Sequence, residues 1–346
     1  MKKILTIVFL ISIISCTQEV PLVNEFQSNI GILSSSNDLP SRISLLERST
    51  GDILIEDIIS SNNDSGLSSV VKSIVGFDQE IYLVLPDEQK ILCISRLNFN
   101  IITEYDFSSQ NLTPIDICFP NASNGYVIFE NSTELVLIDR INKGISNVRI
   151  ELNFIPSDIN YAGNRIYVIS EIANKILFIG TNTKQVESEL DTWFSPIKVD
   201  VDPSGDEIFV MCSGYNSISD TKEIAKGMFI STSNEVLIDE IDLADDFSRD
   251  NDIIPYDFTY TNEELDFIFL TTDKGLLRID TRNKSNIRFV SNVSHSQIFF
   301  NDLSSELIML QVSENRKDLI LSNAETGIVN YSFFLPTNTG LIFPNN

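Results

Sequence analysis

An all-β ring of seven four-stranded blades, closed by pairing of the C-terminal strand with the N-terminal blade, is the fold this sequence predicts. Three observations carry that reading. A short apolar phrase recurs seven times, as Arg42-ISLLE, Lys90-ILCIS, Glu134-LVLID, Lys175-ILFIG, Lys226-GMFIS, Gly275-LLRID and Asp318-LILSN. The starts lie 48, 44, 41, 51, 49 and 43 residues apart, and repeats of about 40–50 residues made only of strand-like segments are the signature of a β-propeller. Each copy is also flanked by further strand-like runs, and the two chain ends supply complementary halves of one set.

Within a set the recurring phrase is the third strand. The second strand precedes it, for example Asn29-IGILS, Glu80-IYLV, Gly125-YVIF and Arg165-IYVIS. The fourth follows a polar turn such as Ser49-Thr50-Gly51 or Glu325-Thr326-Gly327, as in Asp52-ILIEDI, Val148-RIELN and Gln185-VESEL. Such turns provide local hydrogen bonds and positive φ, and β-branched and aromatic residues fill the strands between them. The first strand opens with proline in Thr113-PIDICF, Ile155-PSDINY, Ser195-PIKVDV and Ile254-PYDFTY, and without it in Val70-VKSIV and His295-SQIFF. Proline is acceptable there because no ladder donor is lost at a strand's first position. The N-terminal set lacks a first strand, and Leu335-PTNTGLIF at the C-terminus has no second strand after it. The ring therefore closes by uniting the chain ends, which removes a free sheet edge. A pair of β-sandwiches is the rival architecture, but it predicts no internal repeat.

The chain has 346 residues, with 24 Lys+Arg against 49 Asp+Glu, a formal charge of −25. Such a polyanion has no electrostatic reason to hold nucleic acid or anionic lipid headgroups. Its N-terminus has Lys2 and Lys3 before an eleven-residue apolar run, Ile4 to Ile14. That run is too short to span a bilayer and suits a secretory signal. It ends Ile13-Ile14-Ser15-Cys16, which resembles the lipobox of bacterial lipoproteins. The resemblance implies a signal peptide over 1–15, diacylated Cys16 as the new N-terminus, a tether over 16–28 and the propeller over 29–346. Thr17 in place of an Asp of the retention type implies the outer membrane, with the folded part facing the periplasm or the exterior. Membrane association then comes through the lipid alone. Cys93, Cys118 and Cys212 lie inside predicted strands and read as small buried hydrophobes.

Segments such as Ser195-PIKVDVDPSGDEIFV and Ile155-PSDINYAGNRIYVIS resemble the YVTN-type propeller repeats of bacterial surface proteins, within the broader group of lactonase-like seven-bladed propellers. The likeness covers residues 29–346 but is a packing pattern, so it implies fold and not chemistry.

Two places could carry function. The longest insertions, Ser213–Ala225 and Ala244–Asp252, fall in loop classes that share one face in propellers of this resemblance, and loops on a rigid scaffold commonly carry function. The first strands line the channel. Two positions after each aligned proline stand Asp116, Asp158, Lys198 and Asp257, with Lys72, Gln297 and Asn338 at the equivalent places. This mixed ring suits a small polar ligand or a hydrated cation; its bland alternative is channel-hydrated ends of crowded strands. His295, the one histidine, precedes a first strand and could reach the same mouth. Asp200-V-Asp202-PSG-Asp206-Glu207 mimics an acidic calcium loop but lacks the length of an EF-hand loop and reads as a turn. No cofactor motif, zinc spacing or nucleophile–base set is present, so no catalytic residue is assigned.

The expected function is a lipid-anchored monomeric binding or scaffolding module, with a protein or small polar ligand as its partner. The alternatives are a lactonase-like hydrolase using Asp116, Asp158, Asp257 and His295, and an outer-membrane assembly factor. The latter resembles an eight-bladed ring with a tryptophan-rich docking motif, whereas this chain has one tryptophan, Trp193.

Overall fold

The computed structural model describes residues 30–36, 39–216, 219–243, 253–313, 316–335 and 339–344. The signal peptide over 1–15, Cys16, the tether over 16–28, the Ala244–Asp252 insertion and Asn338 lie outside the described residues. No helix among the described residues is long and apolar enough to cross a membrane.

The chain is a β-propeller. Six four-stranded antiparallel blades are each built from consecutive strands: blade 1 over residues 73–106, blade 2 over 114–151, blade 3 over 158–191, blade 4 over 196–242, blade 5 over 255–291 and blade 6 over 297–335. One further four-stranded sheet joins the chain ends in the order Ile53–Ile55, Leu39–Leu46, Ile30–Ser36 and Thr339–Pro344. Its two ends pair antiparallel, with Ile30 opposite Pro344 and Leu33 opposite Leu341.

The expectation of seven equivalent blades is corrected by this arrangement. Six blades, not seven, consist of the four consecutive strands of one repeat, and the Arg42 phrase belongs instead to the composite sheet. Its outer strand is also curtailed. Asp52-ILIEDI is expected to run on as a strand, but Ile53–Ile55 pairs at only two positions, Leu45 with Ile55 and Leu46 with Ile53. Asp57 then caps a short helix, Ile58–Asn62, by accepting the Ser60 N–H at 3.3 Å, while Ile58 and Ile59 are buried. A local carboxylate–backbone bond and two buried isoleucines outweigh extension of an edge strand.

Burial follows strand order within each blade. The second and third strands are apolar on both faces because neighbouring sheets cover them, as in Arg165–Ser170 and Lys175–Gly180. The outer strand alternates, as Gln185–Asp191 does, because one face meets water. One apolar cluster fills the gap between each pair of neighbouring sheets around the ring. The glycine in Lys226-GMFIS has a packing cause: a Cβ on Gly227 would meet the Phe209 ring at 2.4 Å. Cys93, Cys118 and Cys212 are free and buried within this core.

Side chains also latch blades together. Arg140 of blade 2 reaches Glu80 of blade 1 at 2.6 Å and the Tyr82 hydroxyl at 2.8 Å, with its guanidinium 4.4 Å over the Phe77 ring. Trp193, in the connection from blade 3 to blade 4, donates its indole N–H to the Ile224 carbonyl at 2.9 Å and lies under the Lys226 ammonium at 4.2 Å. It acts as a staple between blades.

Candidate functional site

The innermost strands of the six blades surround a central cavity of about 330 Å³. Period-two alternation sends every second side chain of each inner strand into it. Asp116, Asp158 and Lys198 line this cavity, and Asp257 stands beside it, paired with Lys198.

Register shows which residues share the ring position. Asp116 opposes Ile128, Asp158 opposes Ile169, Lys198 opposes Met211, Asp257 opposes Thr271 and Gln297 opposes Leu310. In blade 1 the equivalent pair is Ser73 and Val84. The expectation for Lys72 is therefore off by one residue. Lys72 is exposed, and its backbone N–H bonds the Val84 carbonyl just as Ser157 and Ser296 bond Ile169 and Leu310. A slip of one residue moves a side chain to the other face of a strand. No proline marks this first strand, so the alignment had no anchor there. Gln297 holds the ring register and is half-buried.

His295 is also corrected. It is buried, at 3% exposure, but lines a separate cleft between blades 5 and 6 and not the central cavity. The set Asp116, Asp158, Asp257 and His295 is not assembled.

The ring residues that do meet form a connected network. Ser73 Oγ donates to Asp116 Oδ1 at 2.8 Å. Asp116 and Asp158 stand beside one another in the ring and act on each other's titration. Burial pushes both carboxyls above the ordinary range, Asp158 further because the Asp116 charge is beside it. Asp158 Oδ2 also accepts the Val199 N–H of the next blade at 2.8 Å. Asp257 does the same, accepting from Ile298 N–H of blade 6 at 3.0 Å and from its own neighbour Phe258 at 2.9 Å. Lys198 pairs with Asp257 and donates to the Phe258 carbonyl at 2.9 Å. Burial opposes its charge, but Asp257, Asp200 and Asp158 prevail and hold the ammonium above the usual lysine value.

A second polar layer lies one alternation further along the strands. Asn160 Nδ2 donates to Asp200 Oδ1 at 2.8 Å, joining blades 3 and 4. Burial raises the Asp200 carboxyl, offset in part by Lys198 and the Val201 N–H. Sequence reasoning missed Ser73, Asn160 and Asp200. The last two were detectable, since each stands two residues after a ring member on an alternating strand. Asp200 was instead grouped with the acidic turn that follows. That turn is present: Asp202 accepts the Glu207 N–H at 2.7 Å and Gly205 has φ +77°.

The cavity can therefore offer carboxyl groups and one ammonium to a small polar guest. It contains no activated nucleophile among the described residues. The Cys118 thiol on its wall is held well above its ordinary pKa by burial and by Asp116 and Asp158. Among the described residues no group of three or more His, Cys, Asp or Glu side chains is arranged to hold a metal ion.

No protein-family model matches the chain, and no curated protein sequence matches it significantly. Solved structures show its fold. A quinoprotein alcohol dehydrogenase-like protein from Bacteroides thetaiotaomicron superposes with a TM-score of 0.68 at 12% identity, covering 93% of this chain and 79% of that one. A functionally unknown protein from Desulfotomaculum acetoxidans gives 0.66 at 12% identity, covering 91% and 98%. The Cps50 β-propeller domain of Myceliophteria thermophila gives 0.64 at 9% identity, covering 85% and 93%. At these identities the likeness concerns the fold alone.

Proposed function

We propose that this chain is a binding module of the bacterial outer membrane, tethered through acylated Cys16, whose central cavity takes a small cationic ligand rich in hydrogen-bond donors. The observation that carries the reading is the convergence of Asp116, Asp158, Asp200, Asp257 and Lys198 around one cavity of about 330 Å³. Acids predominate there, and the chain as a whole is −25, so a cation is drawn in by both local and long-range fields. The insertion after blade 4's second strand forms a small hairpin, Tyr215–Asn216 with Thr221–Lys222, and presents a separate surface for a protein partner.

The test is a thermal-shift series with spermidine as the probe, on wild type and on Asp158→Asn/Asp257→Asn. Spermidine should raise the wild-type Tm in a saturable manner, as ligand binding to the folded state requires, and the effect should shrink in the double variant. Absence of a shift, or an equal shift in both proteins, would overturn the ligand assignment. Labelled palmitate and membrane fractionation test the tether: Cys16→Ser should lose both incorporation and membrane retention.

A further inference from the structure

A second cavity of about 450 Å³ lies between blades 5 and 6, away from the central channel. Leu276 and Phe269 form its floor on one side, with Leu307, Met309 and Ile320 on the other. Its polar groups do not match the rest of this protein. Arg278 and Arg288 face each other directly across neighbouring strands of blade 5, and both line the cavity. Like charges in that position are destabilising. Acids outnumber bases 49 to 24 in this chain, yet neither of these arginines forms an ion pair among the described residues. Arg278 instead stacks at 4.2 Å over the Phe267 ring, which fixes its guanidinium plane and leaves its donors free of carboxylate. Glu325 stands on the opposite rim, exposed and joined to neither arginine.

His295 belongs to the same wall. It is 3% exposed, lines the same cavity, and its Nδ1 has no hydrogen-bond partner. A buried polar nitrogen without a partner costs free energy, so the ring is held there by the packing around it. Burial also lowers its pKa to about 4, so the ring is neutral at physiological pH and can meet an uncharged polar group.

We infer that the cleft between blades 5 and 6 binds an amphipathic carboxylate, with its apolar body among Leu276, Met309 and Ile320 and its carboxylate on Arg278 and Arg288. Guanidinium groups bind carboxylates through paired, charge-assisted hydrogen bonds. A bound carboxylate also removes the repulsion between the two arginines, and the apolar walls supply the remaining affinity.

Calorimetric titration of the full chain tests this, with decanoate as the probe and decanol as its uncharged counterpart. Wild type should bind decanoate saturably at a single site and decanol at least about tenfold more weakly. Arg278→Gln/Arg288→Gln should weaken decanoate by about tenfold or more and leave decanol unchanged. Val329→Trp, at the exposed outer edge of the cavity, should impede both. Asp158→Asn, in the central channel, should affect neither, which separates this site from the proposed cation site. Failure of wild type to bind decanoate, equal binding of the two probes, or an unaltered affinity in the double arginine variant would overturn the assignment.

Discussion

Lys198 of blade 4 is ion-paired to Asp257 of blade 5, and Asp257 in turn accepts the Ile298 N–H of blade 6. One carboxylate thus fastens three successive blades from inside the channel. The same device recurs one step earlier, where Asp158 of blade 3 accepts the Val199 N–H of blade 4. The polar ring is consequently both a lining and a set of inter-blade fasteners.

Removing one half of that pair leaves the other half uncompensated, so the two removals should not add. Lys198→Met leaves Asp257 facing the cavity without its counter-charge, and breaking a buried pair commonly costs 3–5 kcal/mol. The Lys198 side chain retains 33% of its exposure toward the channel, so a loss of about 2 kcal/mol is expected after solvent screening. Lys198→Met/Asp257→Asn should lose less than the sum of the two single variants. Urea unfolding of the four proteins measures this coupling, and strict additivity would contradict the pair's role.

The Asp116–Asp158 pair should make stability fall as pH rises. Both carboxyls have folded pKa values raised above the ordinary aspartate value of 3.8. Their favourable contribution is therefore full below that value and is lost as the pH climbs through the raised folded values. Lys198, Asp200 and Asp257 face the pair but are retained in Asp158→Asn, which removes one titrating group and can keep the Val199 hydrogen bond. Relative to wild type, the variant should gain stability at pH 7.5 compared with pH 4.5. Parallel pH profiles of Tm for the two proteins would refute the raised titration of the pair.

His295 should act in the opposite sense. Its folded pKa is lowered from 6.5 to about 4, so stability is full above pH 6.5 and falls as the pH drops toward 4. Over that interval the residue accounts for a loss of about 3 kcal/mol, taking 1.36 kcal/mol per pKa unit. His295→Gln should abolish most of that acid-side slope while leaving the neutral-pH fold in place. Chemical denaturation at pH 7 and pH 4 provides the comparison.

The union of the chain ends predicts a strong effect of truncation. Thr339–Pro344 is the inner strand of the composite sheet and, among the described residues, pairs with Ile30–Ser36 alone. Deleting residues 339–346 should expose that strand's ladder and lower stability by about 4 kcal/mol, roughly 5 °C in Tm for a chain of this size. A truncated chain that melts with wild type would show that ring closure does not depend on this pairing.

Much of this molecule was legible from one dimension. Strand identity, the order of strands within a repeat, the complementary chain ends and the ring positions of Asp116, Asp158, Lys198 and Asp257 all follow from alternation and from prolines that mark strand starts. These are local or repeating signals, so a single sequence carries them. Three features depended on the third dimension. Repeats count phrases, not sheets of one origin, and the Asp57 cap that curtails the first repeat's outer strand is a competition between two local structures. Ser73 displaced Lys72 because facing depends on a one-residue register that an unmarked strand does not declare. His295 entered the cleft with Arg278 and Arg288 because the packing of blade 5 against blade 6 brings together side chains from separate strands and connections, and no spacing rule encodes which face of a sheet a connecting loop will cross.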